Sequence, residues 1–251
     1  MSATKSIMTV STLAFAAMFG GGAYLLMNIN NIAKPYIEKM ATQTLGVPVS
    51  LGGLEVDLKN KAATVTGLKI RNPKGFETPN ALTAQTINVK LGNVSKTLVN
   101  FDAITIAGAK AYLEAKPSGT NFQAIRAQIK PKSKPAEGSE QLKVTINRFT
   151  MSQTALHPSV TLFASEDLKP VNVPTVVLKG IGEKQNGVVA EEALKQIFES
   201  LAGQFNQTSK AAGYLKGMSS DALKDMGKKQ VKALTGGFEK DIKKSLNSLF
   251  E

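Results

Sequence analysis

The sequence predicts an α+β chain: an N-terminal transmembrane helix, a curved, mostly antiparallel β-sheet shaped as a groove or half-barrel, and C-terminal amphipathic helices. Three observations carry that prediction. Residues 6–27 are free of charged side chains. Residues 47–182 alternate apolar and polar side chains, and residues 183–251 return to the helical period with lysine on one face. The division that follows is a short tail at 1–5, an anchor at 6–27, an amphipathic helix at 28–46, a β-domain at 47–182 with a linker at about 130–139, and a basic helical part at 183–251.

At about 1.5 Å rise per residue the anchor would be about 33 Å long, enough for a hydrocarbon core of about 30 Å. A cleaved secretory leader is the competing reading, because Lys5 precedes the apolar run and Ala14-Phe15-Ala16 has the small-x-small form of a cleavage site. Cleavage there would leave Ala17–Met27 as an exposed apolar end, which favours a retained anchor. With Lys5 on one side and Lys34 and Lys39 on the other, orientation stays open.

Behind the anchor the chain is long enough for one substantial domain. Apolar residues make up 42% and aromatic residues 6%, so a core can form while stacking platforms for single-stranded nucleic acid are scarce. A net charge of +12 beside a membrane anchor points to an anionic lipid surface, where each basic residue contributes about 1 kcal/mol, and no nucleic-acid partner is expected. Cysteine is absent, which excludes disulfides and thiolate metal sites.

Asn28–Leu45 places Ile32, Tyr36, Ile37, Met40 and Ala41 at helical spacing; Gly46 ends the helix, and Pro35 predicts a kink or fresh start. Val47, Val49 and Leu51, then Leu54, Val56 and Leu58, alternate as strands, with Lys59-Asn60-Lys61 as a hairpin turn. Val65, Leu68 and Ile70 lead back to a turn at Asn72-Pro73-Lys74-Gly75. Thr83–Leu91 is the next strand, Val94–Asn100 a short helical connection, and Ala103–Ala115 a strand with two apolar faces. Ile104 and Ile106 occupy one face; Ala107, Ala109, Ala111 and Leu113 occupy the other, so this strand needs cover on both sides. Leu142, Val144 and Ile146, Val160 with Leu162, Val171 with Val173, and Val176–Leu178 bring the total to about eight strands. Without crossover helices they are expected to be antiparallel, in a sheet on the order of 35–40 Å across at about 4.8 Å per strand.

Residues 45–76, LGVPVSLGGLEVDLKNKAATVTGLKIRNPKGF, resemble the opening of AsmA-like envelope proteins in their Gly-Leu-x-Ile-x-Asn-Pro passage and Gly-Phe. ITIAGAKAYLEAKPSGTNFQAI at 104–125 is similar to that family's strand ending in Gly, Asn and an apolar residue, here Gly119, Asn121 and Phe122. The likeness covers about residues 5–182 and contains no catalytic motif. It implies a single span of the bacterial inner membrane, a periplasmic domain and a curved sheet whose apolar side holds phospholipid acyl chains. Such a protein would serve envelope lipid homeostasis or outer-membrane biogenesis. The chain departs from longer relatives in its helical last part.

On that reading the lipid groove is lined by Ile87, Val89, Leu91, Ile104, Ile106, Val144 and Ile146, since an acyl chain gains about 0.8 kcal/mol per methylene removed from water. A closed core built from the same residues is the other reading. Lys224, Lys228, Lys229, Lys232, Lys240, Lys243 and Lys244 form a basic face that either lies on an anionic membrane or stays solvated on a helix packed against the domain. Membrane phospholipid is the expected partner and an envelope protein the second candidate. The alternative function is a scaffold or assembly factor that recruits an envelope protein through the sheet edge or basic tail and holds no lipid. His157, the one histidine, stands beside Pro158 in an expected turn, without a nucleophile elbow, a zinc-binding helix or a phosphate loop. The carboxylate pairs Glu191-Glu192 and Glu166-Asp167 are adjacent rather than convergent. Neither an enzyme nor a cofactor or metal is therefore expected.

Overall fold

The computed structural model describes residues 29–57, 59–95, 97–116, 119–129, 143–160 and 169–214. The expected anchor at 6–27, the 130–139 linker and the lysines from Lys224 to Lys244 lie outside the described residues. Among the described residues, no helix is long and apolar enough to cross a membrane.

Helix α1 (Ile29–Leu45) stops at Gly46, which takes φ +70 and donates its N–H to the Thr42 carbonyl at 2.9 Å. Ala33, Ala41 and Leu45 are its buried positions. The chain then turns back along the helix, because Val49 N–H donates to Thr42 Oγ1 at 2.9 Å and Leu51 N–H to Glu38 Oε1 at 2.7 Å. The strands that follow are β1 (Val49–Ser50), β2 (Gly53–Asp57), β3 (Ala62–Arg71), β4 (Asn80–Val94), β5 (Leu98–Ala107), β6 (Lys110–Lys116) and β7 (Gly119–Thr120). After the short helix α2 (Asn121–Gln128) come β8 (Lys143–Ser152), β9 (Thr154–Val160), β10 (Val171–Val173), β11 (Val176–Ile181), β12 (Val188–Val189) and the long helix α3 (Ala190–Ala211). The described strands join one mixed sheet, so the architecture is α+β.

Register reduces these strands to six long lanes. β1 and β2 share a lane against β3; β5 and β6 share one against β4. β8 and β9 continue each other beside β5 and β6, and β10 and β11 do so beside β9 and β8. Six lanes at about 4.8 Å spacing span roughly 24 Å, narrower than the sheet expected from eight separate strands.

The breaks within the lanes line up across the sheet. Pairs Thr66–Thr86 and Leu68–Ala84 put Gly67 opposite Gln85, and pairs Ile87–Ile106 and Thr83–Lys110 put Gln85 opposite Gly108. Pairs Ala107–Ser152 and Lys110–Ala155 put Gly108 opposite Gln153; pairs Thr154–Val173 and Met151–Val176 put Gln153 opposite Pro174. Gly67, Gly108 and Gln153 take φ of +63, +69 and +51. A left-handed residue inserted in a strand bends it and offsets its alternation by one position. Buried residues accordingly change phase at this crease, from Phe149 and Met151 to Leu156, and from Ile106 to Ala109, Ala111 and Leu113. All of them join one hydrophobic cluster. The two-faced strand expected over Ala103–Ala115 is therefore corrected: it is two strands that bury one side, with the parity switched at Gly108.

Gly67 offers a test of the crease. A Cβ there would lie 3.1 Å from Gly52 Cα and 3.2 Å from Gly52 N, backbone atoms that cannot swing aside, at a φ that costs a non-glycine residue about 1–3 kcal/mol. Gly67→Ala is expected to lower the free energy of urea unfolding by about 2 kcal/mol; a loss below about 0.5 kcal/mol would contradict the close approach.

Three further expectations are corrected. The β5–β8 and β6–β9 pairings are parallel. The crossover between them carries α2, whose start is a reciprocal cap: Thr120 Oγ1 accepts from Gln123 N–H at 3.2 Å and Gln123 Oε1 accepts from Thr120 N–H at 3.0 Å. The described residues of Val94–Asn100 are not helical but close the β4–β5 hairpin, with Ser95 N–H donating to the Leu98 carbonyl at 2.8 Å. His157 sits in β9 rather than in a turn. The Lys59–Lys61 turn forms as expected, Asn60 donating from its backbone and amide to the Asp57 carboxylate at 2.9 and 2.7 Å.

A candidate apolar binding face

Between the crease and a second offset, the middle of the sheet carries two unbroken apolar rows. Leu54, Val65, Ile87, Ile106, Met151 and Val176 are successive register partners across the six lanes, and so are Val56, Ala63, Val89, Ile104, Phe149 and Leu178. The row between them is Glu55, Thr64, Asn88, Thr105, Thr150 and Val177. Because strand side chains alternate in direction, this mostly polar set occupies the opposite face.

Burial falls along the first row from β11 toward β2, whereas in the second Phe149 is buried between half-buried neighbours, Leu178 of β11 included. Ile106, Met151, Val176 and Phe149 are buried, whereas Leu54, Val65, Ile87, Val56, Ala63, Val89 and Ile104 are half-buried. Helix placement contributes to the trend in the first row. α3 packs on β8 to β12, α1 on β1 and β2, and α2 on β6 and β7, so β4 and β5 get little helical cover among the described residues.

Leu91, Val144 and Ile146 lie beyond the second offset, where the apolar phase shifts again between Ile146 and Phe149 and between Leu178 and Ile181. Gly180 takes φ +68 at that level. These three are 7%, 4% and 3% exposed. Of the seven groove candidates, then, Leu91, Ile106, Val144 and Ile146 are sealed in the core, while Ile87, Val89 and Ile104 stand together with accessible surface. Sequence reasoning missed their neighbours Leu54, Val56, Ala63 and Val65, which only the register brings alongside.

The face contains no charged group, so what it can do chemically is remove apolar surface from water. Among the described residues no group of His, Cys, Asp or Glu is placed to hold a metal. His157 stacks on Tyr112 with ring centroids 5.2 Å apart; burial first, and the Lys110 charge second, hold its imidazole below the usual range.

The passages that carry the family resemblance meet in a polar knot at the sheet's other end. Asn121 donates to Asn72 Oδ1 and to the Tyr112 carbonyl, both at 2.7 Å, and accepts from Glu114 N–H at 3.1 Å. Asn72 donates to the Thr78 carbonyl at 2.7 Å. The Glu114 carboxylate, fully buried, accepts from Glu77 N–H at 2.8 Å, Thr78 N–H at 2.8 Å and the Thr78 hydroxyl at 2.9 Å, and pairs with Lys116 at 3.3 Å. Burial pushes this carboxyl up, but the hydrogen bonds outweigh it and hold the group below its usual range. Because its members satisfy one another, the knot reads as a clasp on the 72–79 loop rather than a binding site.

No family model, no curated protein and no solved structure matches the chain.

Proposed function

We propose that this chain is a membrane-anchored lipid-binding protein of the bacterial envelope, with one inner-membrane span and its sheet in the periplasm, contributing to lipid homeostasis or outer-membrane biogenesis. The observation that carries this reading is the half-covered end of the two apolar rows, seven apolar side chains on neighbouring lanes with no charge among them. An acyl chain laid there gains about 0.8 kcal/mol per methylene. The direction of α1 supports it. Thr42 sits by Val49 and Glu38 by Leu51, so the helix begins toward the far end of β2, next to the half-covered lanes. The AsmA-like passages point the same way.

A second reading, a scaffold or assembly factor that holds no lipid, is favoured by the four candidates sealed in the core. Lipid extraction and native mass spectrometry of the full chain, purified from membranes in detergent, separate the two. Phospholipid is expected at about one per chain, reduced several-fold in Val89→Thr, which keeps the side-chain shape of a half-buried residue packed against the core while adding a hydroxyl to the face. Wild-type protein free of phospholipid would overturn lipid binding and leave the scaffold.

A further inference from the structure

The sheet's polar face holds a second feature that lipid binding leaves unused. Past the second offset, the β4–β5 hairpin and the β2–β3 turn border a groove of about 710 Å3, lined by Lys61, Lys90, Asn100, Asp102, Thr145 and Asn147 among others. That volume falls in the range of about 300–1,000 Å3 typical of small-molecule sites. We infer that this groove is a binding site for an acidic saccharide.

Its floor is built before any ligand arrives. Asn100 Nδ2 donates to Thr145 Oγ1 at 2.8 Å and to Asn147 Oδ1 at 2.7 Å, and Asn147 Nδ2 donates to Asp102 Oδ1 at 3.2 Å. Strands β5 and β8 thus present one continuous polar ladder, with Lys90 of β4 in the lining beside it. Gly92 is part of the design: a Cβ there would fall 2.0 Å from Asn100 Oδ1 and 2.5 Å from Asp102 Oδ1. Only a bare backbone lets those two oxygens lean over β4.

The groups left over choose the ligand. Asn100 Oδ1 and Asp102 Oδ2 are acceptors without a partner among the described residues, while the Lys61 and Lys90 ammonium groups are donors in no ion pair among them. The Thr145 hydroxyl, having accepted from Asn100, has its own proton to give. A bare anion would face the Asp102 and Asn100 oxygens, and a bare cation would face the lysines. Hydroxyl groups both donate and accept, so a polyhydroxylated ring meets donors and acceptors together. The two lysines against one carboxylate favour a ring that bears an acidic group.

The test uses the full chain in a detergent without a sugar headgroup, titrated calorimetrically with trigalacturonate, cellotriose and inorganic phosphate. Trigalacturonate is expected to bind most tightly, cellotriose at least several-fold more weakly and phosphate least. Gly92→Ala should weaken trigalacturonate at least ten-fold. The double variant Lys61→Ala, Lys90→Ala, which changes two exposed side chains and leaves the core untouched, should abolish the preference for trigalacturonate over cellotriose. No binding of either sugar, an unchanged preference in the lysine variant, or phosphate binding as tightly as trigalacturonate would overturn the assignment.

Discussion

Replacing Glu114 by alanine is expected to destabilise the protein by about 3–5 kcal/mol, the range for stripping one partner from a buried ion network. The magnitude follows from what is stranded. Two backbone N–H groups, at Glu77 and Thr78, and the Thr78 hydroxyl all point at this carboxylate, and no water reaches a side chain that is 0% exposed. An unmet buried donor costs about 1–3 kcal/mol. Glu114→Gln keeps the shape but gives up the charge, and a loss of about 1–3 kcal/mol is expected. The sign with pH is also set. Hydrogen bonding holds the folded carboxyl below its ordinary 4.5, so its stabilisation is complete above that value and disappears as pH falls through the lower folded one. Urea unfolding followed from pH 6 to pH 3 should show wild type losing stability over this interval and the glutamine variant losing less. Parallel profiles would mean that the carboxylate is not carrying the loop.

Phe205→Ala is expected to cost about 3–5 kcal/mol, as for other large aromatic truncations in cores. Phe205 is 1% exposed and tilts onto Phe122 at a centroid distance of 4.9 Å, with Phe198 at 6.3 Å from the same ring. This trio joins α3 to α2, so the deletion opens a cavity between two helices as well as beneath them. Phe205→Leu retains most of the volume and should cost well under half as much. Calorimetric unfolding of the two variants checks the pair. A loss below about 1 kcal/mol for alanine would show that α3 is not a layer of the core.

Much of the sheet was legible because its signal is local. Alternation located the main strands, Asn72-Pro73 and Lys59–Lys61 marked turns, and Gly46 marked the end of α1. Pairing direction was not legible, because the parallel neighbours of β5 and β6 are decided by where a crossover lands. One local sign of that crossover was on view: Thr120 followed three positions later by Gln123 is a helix start. The Ala103–Ala115 strand misled for a different reason. Parity counting assumes an unbroken strand, and Gly108 at φ +69 changes parity while keeping the same side buried. The candidate groove shows the limit most plainly. Ile87 and Ile106 look alike in sequence, yet one is half-buried and the other buried, a difference that alternation within a strand does not carry. Asn72 stands out in sequence as a turn residue and Asn121 only through the resemblance; their direct hydrogen bond gives each a further physical reason to be asparagine.

The shared crease makes chain length a collective property. Deleting Gln153 alone would shift every later residue of β9 by one step against β6, aiming His157 where Leu156 now points. A matching deletion of Gly108 would restore that pairing but leave Gln85 and Pro174 unmatched on either flank. Tolerated insertions and deletions in this region should therefore occur in turns between lanes, and never in one lane at the level of Gly67.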